Sequence, residues 1–180
     1  MKKITYIIEF IIIYIIFFIF KLMPINFVSL IGGKVFQKVG PFLKSHKTAI
    51  SNVKRVFSDL TEKEINSIVS KSWNNLGKTF AEYTILNKLL NKKNKRINIV
   101  GNNHLNNIEK KKEQVIFFGI HQANWELLVP SLDKLGIRIG AIYRHINNPY
   151  INSLIIKIRA KTLNSKETFY TPKGKESAKE

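Results

Sequence analysis

The chain has 180 residues, enough for one domain with a modest core. Its 44% hydrophobic content excludes a disordered chain as the default, and the absence of cysteine excludes disulfides and thiolate metal sites. Thirty Lys and Arg against twelve Asp and Glu leave a formal charge of +18, which directs the chain toward polyanions: nucleic acid, anionic lipid or an acidic protein. Lysine, asparagine and isoleucine are abundant throughout, so part of this charge reflects a biased composition.

The opening stretch, MKKITYIIEFIIIYIIFFIFKLMP, places Lys2 and Lys3 before a run that is apolar from Ile4 to Phe20 and is interrupted mainly by Thr5, Tyr6 and Glu9. Lys21 and Pro24 close it. A spanning helix needs about 20 apolar residues. A cleaved signal peptide would have an apolar region of about 7–15 residues and small residues at the cut. The longer run followed by KLMP therefore predicts an uncleaved single-pass anchor over residues 1–23. No acid lies between Glu9 and Asp59, while Lys21, Lys34, Lys38, Lys44, Lys47, Lys54 and Arg55 do. The positive-inside rule then puts the remainder of the chain in the cytoplasm, with this basic stretch against anionic headgroups.

Residues 24–95 read as a helical, membrane-proximal region. In NFVSLIGGKVFQKVGPFL, the glycines Gly32, Gly33 and Gly40 and Pro41 are expected to break short apolar stretches into a helical hairpin. SHKTAISNVKRVFSDL carries Ala49, Ile50, Val53, Val56 and Phe57 at helical spacing. Thr61 and Glu64 form a capping-box pattern ahead of Ile65, Ile68, Val69, Leu76, Phe80 and Tyr83, and predict a long helix. Glu82 falls late in that helix, either paired with a basic residue across the fold or exposed. NKKNKR reads as a basic loop.

Residues 96–180 alternate strand and helix patterns. INIVG reads as a short strand and NHLNNIEKKKEQ as a short polar helix and loop. VIFFGI, Val115 to Ile120, has the continuous apolar character of a central parallel strand. ANWELLVPSLDKLG reads as a helix limited by Pro130 and stopped by Gly136, IRIGAIYR as a strand, NPYINSLIIKIRAKTL as a helix and ETFYTP as a last strand. The expected class is therefore α/β: a mostly parallel sheet flanked by helices and preceded by the N-terminal anchor helix.

In open α/β sheets, ligands bind beyond the carboxyl ends of the strands. His121 follows VIFFGI directly, and a neutral imidazole there can take a proton from a hydroxyl near pH 7. It works best when a carboxylate holds its other nitrogen. Glu126 is the available acid. Five residues on one regular helix subtend about 140°, so the pair can meet only across a strand–turn–helix junction, with His121 before the helix and Glu126 in its first turns. Asn124 is placed to cap the helix or order the turn. Arg144 ends the next expected strand, where it can bind phosphate or carboxylate or offset developing negative charge. On spacing alone, a strand-end histidine bonded to backbone and a surface arginine explain these residues equally well. His145 reads as non-catalytic. His46 and His104 have no second ligand at metal spacing.

Together these segments resemble the lipid A biosynthesis acyltransferase family, the late lauroyl- and myristoyl-type enzymes. The similarity runs in order through the anchor closing in LMP, ISNVKRVFSDLTEKE, SWNNLGKTFAEY, NIVGNNHL, VIFFGIHQANWE and AIYRHINNPYINSLIIKIR. HQANWE carries the family's His-x4-acid core. The resemblance implies an inner-membrane enzyme facing the cytoplasm. Such an enzyme moves a fatty acyl chain from acyl carrier protein to a hydroxyl of a phosphorylated, Kdo-bearing lipid A precursor, with no metal or other cofactor. It implies His121 as general base, Glu126 as its partner, and Arg144 and Asn124 as substrate-side residues. A basic surface suits both an acidic carrier protein and a phosphorylated lipid. Family members are longer, so the resemblance also implies a chain cut short on its C-terminal side, with an incomplete sheet.

That early stop motivates a competing class, a catalytically inactive remnant or membrane-bound interaction protein. A nucleic-acid binder draws only on charge, since no helix-turn-helix, zinc-finger or aromatic–glycine RNA-binding signature is present in the sequence.

Overall fold

In a computed structural model, residues 2–91, 93, 96–101, 103–105, 108 and 114–174 are described. The chain divides into two compact units. One comprises residues 1–21, 83–121 and 125–180, and the other residues 22–82 and 122–124.

The second unit is helical, built from α2 (Ile25–Val39), α3 (Ser45–Val56) and α4 (Glu62–Glu82). The expected capping box starts α4. Thr61 N donates to Glu64 Oε2 at 2.8 Å and Glu64 N donates to Thr61 Oγ1 at 3.4 Å. The hydrogen bonds from Thr61 hold the Glu64 carboxyl below its ordinary value. Ile65, Val69 and Trp73 follow on the buried face of α4.

One expectation fails here. Gly32 and Gly33 do not interrupt the chain, because α2 runs unbroken through both. They serve contact instead. A Cβ on Gly32 would overlap Gly77 O and the Ala81 methyl, and a Cβ on Gly77 would overlap the backbone of Gly32. Two helices meet backbone to backbone at that crossing, which only glycine permits. The break falls at Gly40, where a 3-10 turn Gly40–Phe42 packs against the Trp73 ring. Trp73 Nε1 in turn donates to His46 Nδ1 at 3.1 Å, a structural role for that histidine.

The first unit holds α1 (Lys2–Leu22, whose last residue lies in the other unit), α5 (Leu86–Leu89), α6 (Leu128–Asp133), β1 (Gly140–Tyr143), α7 (Pro149–Ala160) and β2 (Phe169–Pro172). β1 and β2 pair in parallel, Gly140 opposite Phe169 through Tyr143 opposite Pro172. Gly136 stops α6 with φ 89°, as its position predicts. Asn148 caps α7, its side chain accepting from Tyr150 N and Ile151 N. Tyr83, Leu86 and Ile155 form a buried cluster with Phe17, Leu127, Ile151 and Ile158 packed on it.

The chain is helix-dominated and the described sheet has two strands, so the α/β expectation holds only in part. INIVG and VIFFGI do not form strands. Ile116 is 82% exposed and Phe118 93% exposed, so the segment expected at the sheet centre lies unpaired at the surface. A strand needs a neighbour for its backbone donors and acceptors, and apolar composition alone does not supply one. The loop read in NKKNKR and the helix read in NHLNNIEKKKEQ fall largely outside the described residues.

Candidate active site

His121, Glu126 and Arg144 line one open cleft of about 1630 Å³ in the first unit. The 114–121 segment forms one wall, α6 and β1 form others, and the surface is mostly apolar, with Ile116, Phe118, Leu128, Val129 and Ile142 among its residues. His121 is exposed, and its ring lies 5.0 Å from that of Trp125, tilted by 46°. Arg144 is exposed just past the carboxyl end of β1, where the sequence expects it.

Glu126 occupies a different environment. It sits in the 3-10 turn Trp125–Leu127 that leads into α6 and is only 6% exposed. Its two carboxylate oxygens accept from Arg159, Oε2 from Nε at 2.7 Å and Oε1 from Nη2 at 2.7 Å. This bidentate fork satisfies both oxygens and cancels the charge within a buried pocket. Arg159 also donates to the Tyr83 hydroxyl at 3.1 Å, and its guanidinium lies 5.4–6.0 Å from the ring centres of Tyr83, Tyr143 and Tyr170. Burial, and then the Glu126 charge, push the Tyr83 and Tyr170 phenols well up. Burial opposes the Arg159 cation, but the Glu126 hydrogen bonds and charge outweigh it and leave Arg159 firmly protonated.

The carboxylate expected to hold His121 is thus gripped by an arginine. Sequence reasoning missed Arg159, Tyr83 and Tyr170. A signal existed for the first: Arg159 stands four residues after the buried Ile155, on the inward stripe of α7. A lone cation on an apolar stripe calls for a buried anion.

Asn124 belongs to the helical unit, as do Gln122 and Ala123. Ala123 has φ 51°, a strained value for a residue with a Cβ. Its carbonyl accepts from Asn75 Nδ2 and Thr79 Oγ1, both at 3.2 Å. Asn124 Nδ2 donates to Glu82 Oε2 at 2.5 Å, and Ser29 Oγ donates to Glu82 Oε1 at 2.5 Å. Among the described residues Glu82 is therefore bound by neutral donors and pairs with no base. Asn75, Thr79 and Glu82 all come from the SWNNLGKTFAEY segment. Those polar residues, spaced by three or four, form one side of α4 and hold the turn that separates His121 from Trp125.

Residues 1–166 match the family profile described as bacterial lipid A biosynthesis acyltransferase. The chain belongs to that family. The match takes in the whole candidate site up to Arg159, and it supports acyl transfer from an acyl donor to a lipid A-type acceptor in general terms. No curated protein and no solved structure matches the chain.

Proposed function

We propose that the chain transfers a fatty acyl group from acyl carrier protein to a hydroxyl of a Kdo-bearing lipid A precursor at the cytoplasmic face of the inner membrane. The observation that carries this reading is the cleft. One open, largely apolar groove is lined by the exposed His121 imidazole, the exposed Arg144 and the part-buried Arg159. Its apolar walls suit an acyl chain, and Arg144 suits phosphate or a developing oxyanion.

In this mechanism His121 takes the proton of the acceptor hydroxyl as its oxygen bonds to the thioester carbonyl carbon. The tetrahedral oxyanion forms near Arg144. It collapses with cleavage of the carbon–sulfur bond, and the departing thiolate recovers a proton from the imidazolium. Glu126, charge-compensated by Arg159, anchors the Trp125–Leu127 turn, whose Trp125 ring lies against His121. Asn124 orders the turn between His121 and Trp125 through Glu82.

Acyl transfer measured in membranes from cells expressing the chain tests this reading. His121→Ala should lower the rate roughly 10²–10⁴-fold. Full rate in both His121→Ala and Glu126→Ala, with an active parent, would remove both residues from the mechanism. The unpaired, exposed 115–120 segment favours a second reading, a membrane-bound binding protein without turnover. That reading expects no acyl transfer from the parent chain.

A further inference from the structure

The helical unit carries its charge unevenly. Between Leu22 and Ser58 stand six cations, Lys34, Lys38, Lys44, Lys47, Lys54 and Arg55, and no acid. All six are exposed. In α4, by contrast, Lys63, Lys71 and Lys78 are balanced by Glu62, Glu64 and Glu82. The excess positive charge of this unit therefore belongs to α2, α3 and the turn between them.

That turn is apolar at its tip. Pro41, Phe42 and Leu43 are all exposed, Phe42 by 88% and Leu43 by 44%. Lys38 precedes them, and Lys44 and Lys47 follow. The backbone beneath the tip is fixed on both sides. Gly40 lies against the Trp73 ring with no room for a Cβ. Leu43 N donates to Gly40 O at 3.0 Å, and His46 N donates to Leu43 O at 2.9 Å. Trp73 Nε1 donates to His46 Nδ1 at 3.1 Å and ties the start of α3 to α4. The fold thus holds an unburied aromatic ring outward among three lysines, and leaves its burial free energy unused.

Three kinds of polyanion would meet these lysines, and the tip separates them. A stable protein interface buries about 800 Å² on each partner, far more than three side chains supply. Nucleic acid is held through its phosphates and has no need of an apolar tip between the cations. A bilayer admits a small apolar tip into its interface, while lysines beside it meet the headgroup phosphates. Among the described residues α1 is also long and apolar enough to cross a membrane, so the chain has a second feature suited to lipid.

We propose that the Gly40–Phe42 turn is a membrane-contact site. Phe42 and Leu43 enter the interface of a bilayer rich in anionic phospholipid, and Lys38, Lys44 and Lys47 bind headgroup phosphates around them. Each lysine near such a surface strengthens the attachment roughly fivefold. The basic stretch read in the sequence thereby acquires one apolar point of entry. No step of acyl transfer is involved, so a chain without turnover keeps this contact.

The cysteine-free sequence accepts single reporters. Leu43→Cys places an environment-sensitive fluorophore at the tip with Phe42 retained. Lys71→Cys places it on α4, about 160° around that helix from Trp73. Each full-length labelled chain is mixed with vesicles of phosphatidylglycerol and phosphatidylcholine that carry a nitroxide-tagged lipid, and the bound protein is isolated by flotation. The expected result is a blue shift and quenching at Leu43→Cys and neither at Lys71→Cys. Phe42→Ser should lower the quenching at Leu43→Cys. So should Lys38→Gln, Lys44→Gln and Lys47→Gln combined, in each case with unchanged helical content by circular dichroism. Quenching at Leu43→Cys no greater than at Lys71→Cys would overturn the proposal, as would equal quenching in vesicles of phosphatidylcholine alone. A blue shift produced by an acidic carrier protein without vesicles, and not by vesicles, would assign the turn to a protein partner instead.

Discussion

Each unit is stabilised internally in its own way. In the helical unit, α2 and α4 approach until Gly32 and Gly77 meet, and the buried residues around them are mainly apolar. In the other unit a polar cluster, the Glu126 carboxylate and three tyrosines around the Arg159 guanidinium, adjoins buried apolar residues such as Leu86 and Ile155. Close helix packing is built from local periodicity and tolerates little volume change. A buried ion pair is built from partners far apart in sequence, and it fails when one partner is lost. The candidate site is lined by residues of the second kind of core.

Breaking that polar core should have the largest effect. Arg159→Ala leaves Glu126 charged and buried, and should destabilise the fold by about 3–5 kcal/mol in urea unfolding. Replacing Arg159 and Glu126 together by Met and Leu should recover most of this loss, because an unpaired charge costs more than an apolar pair. Equal instability of the double replacement would mean that the pair stabilises by its own attraction. In the helical unit, Gly77→Val forces α2 and α4 apart and should cost about 1–3 kcal/mol, read as a lower unfolding midpoint. An unchanged midpoint would show that the crossing is not as close as described.

Alkali should separate the units more gently. Burial, and then Glu126, raise the Tyr83 and Tyr170 phenols above their ordinary value. Tyrosines of the unfolded chain ionise near pH 10. A raised folded value means that this stability is complete below about pH 10 and is lost as pH rises further. Thermal unfolding midpoints should therefore fall above about pH 10, and Tyr83→Phe should flatten that fall. The smallest effect belongs to the cap of α4, where Thr61→Ala should cost about 1 kcal/mol, seen in the same melts at neutral pH.

The contrast also explains what could be read in the sequence. Thr61 and Glu64 announce the start of α4 because capping is a contact between residues three apart. Gly136 and the segments that become β1, α7 and β2 are legible from local pattern as well. His121 and Arg144 line one cleft, although VIFFGI, the strand expected to deliver His121 to a sheet edge, is not a strand. What periodicity does not encode is the choice among distant partners. Gly32 and Gly33 read as breaks, because their use depends on Gly77, Asn74 and Ala81 more than forty residues away. The spacing offers Glu126 a nearby histidine and gives no sign of Arg159, 33 residues away, which forks onto it in the fold. VIFFGI has the composition of a central strand, but no pattern within it specifies the neighbour that would pair with it.

The central claim is that this cleft carries acyl transfer to a lipid A precursor through His121. Mass spectrometry of lipid A tests it most directly, in cells lacking the gene and in the same cells supplied with the parent chain or with His121→Ala. The account predicts a lipid A species heavier by one acyl chain with the parent, absent without the gene and with His121→Ala. Identical lipid A in all three, or full acylation by His121→Ala, would contradict it.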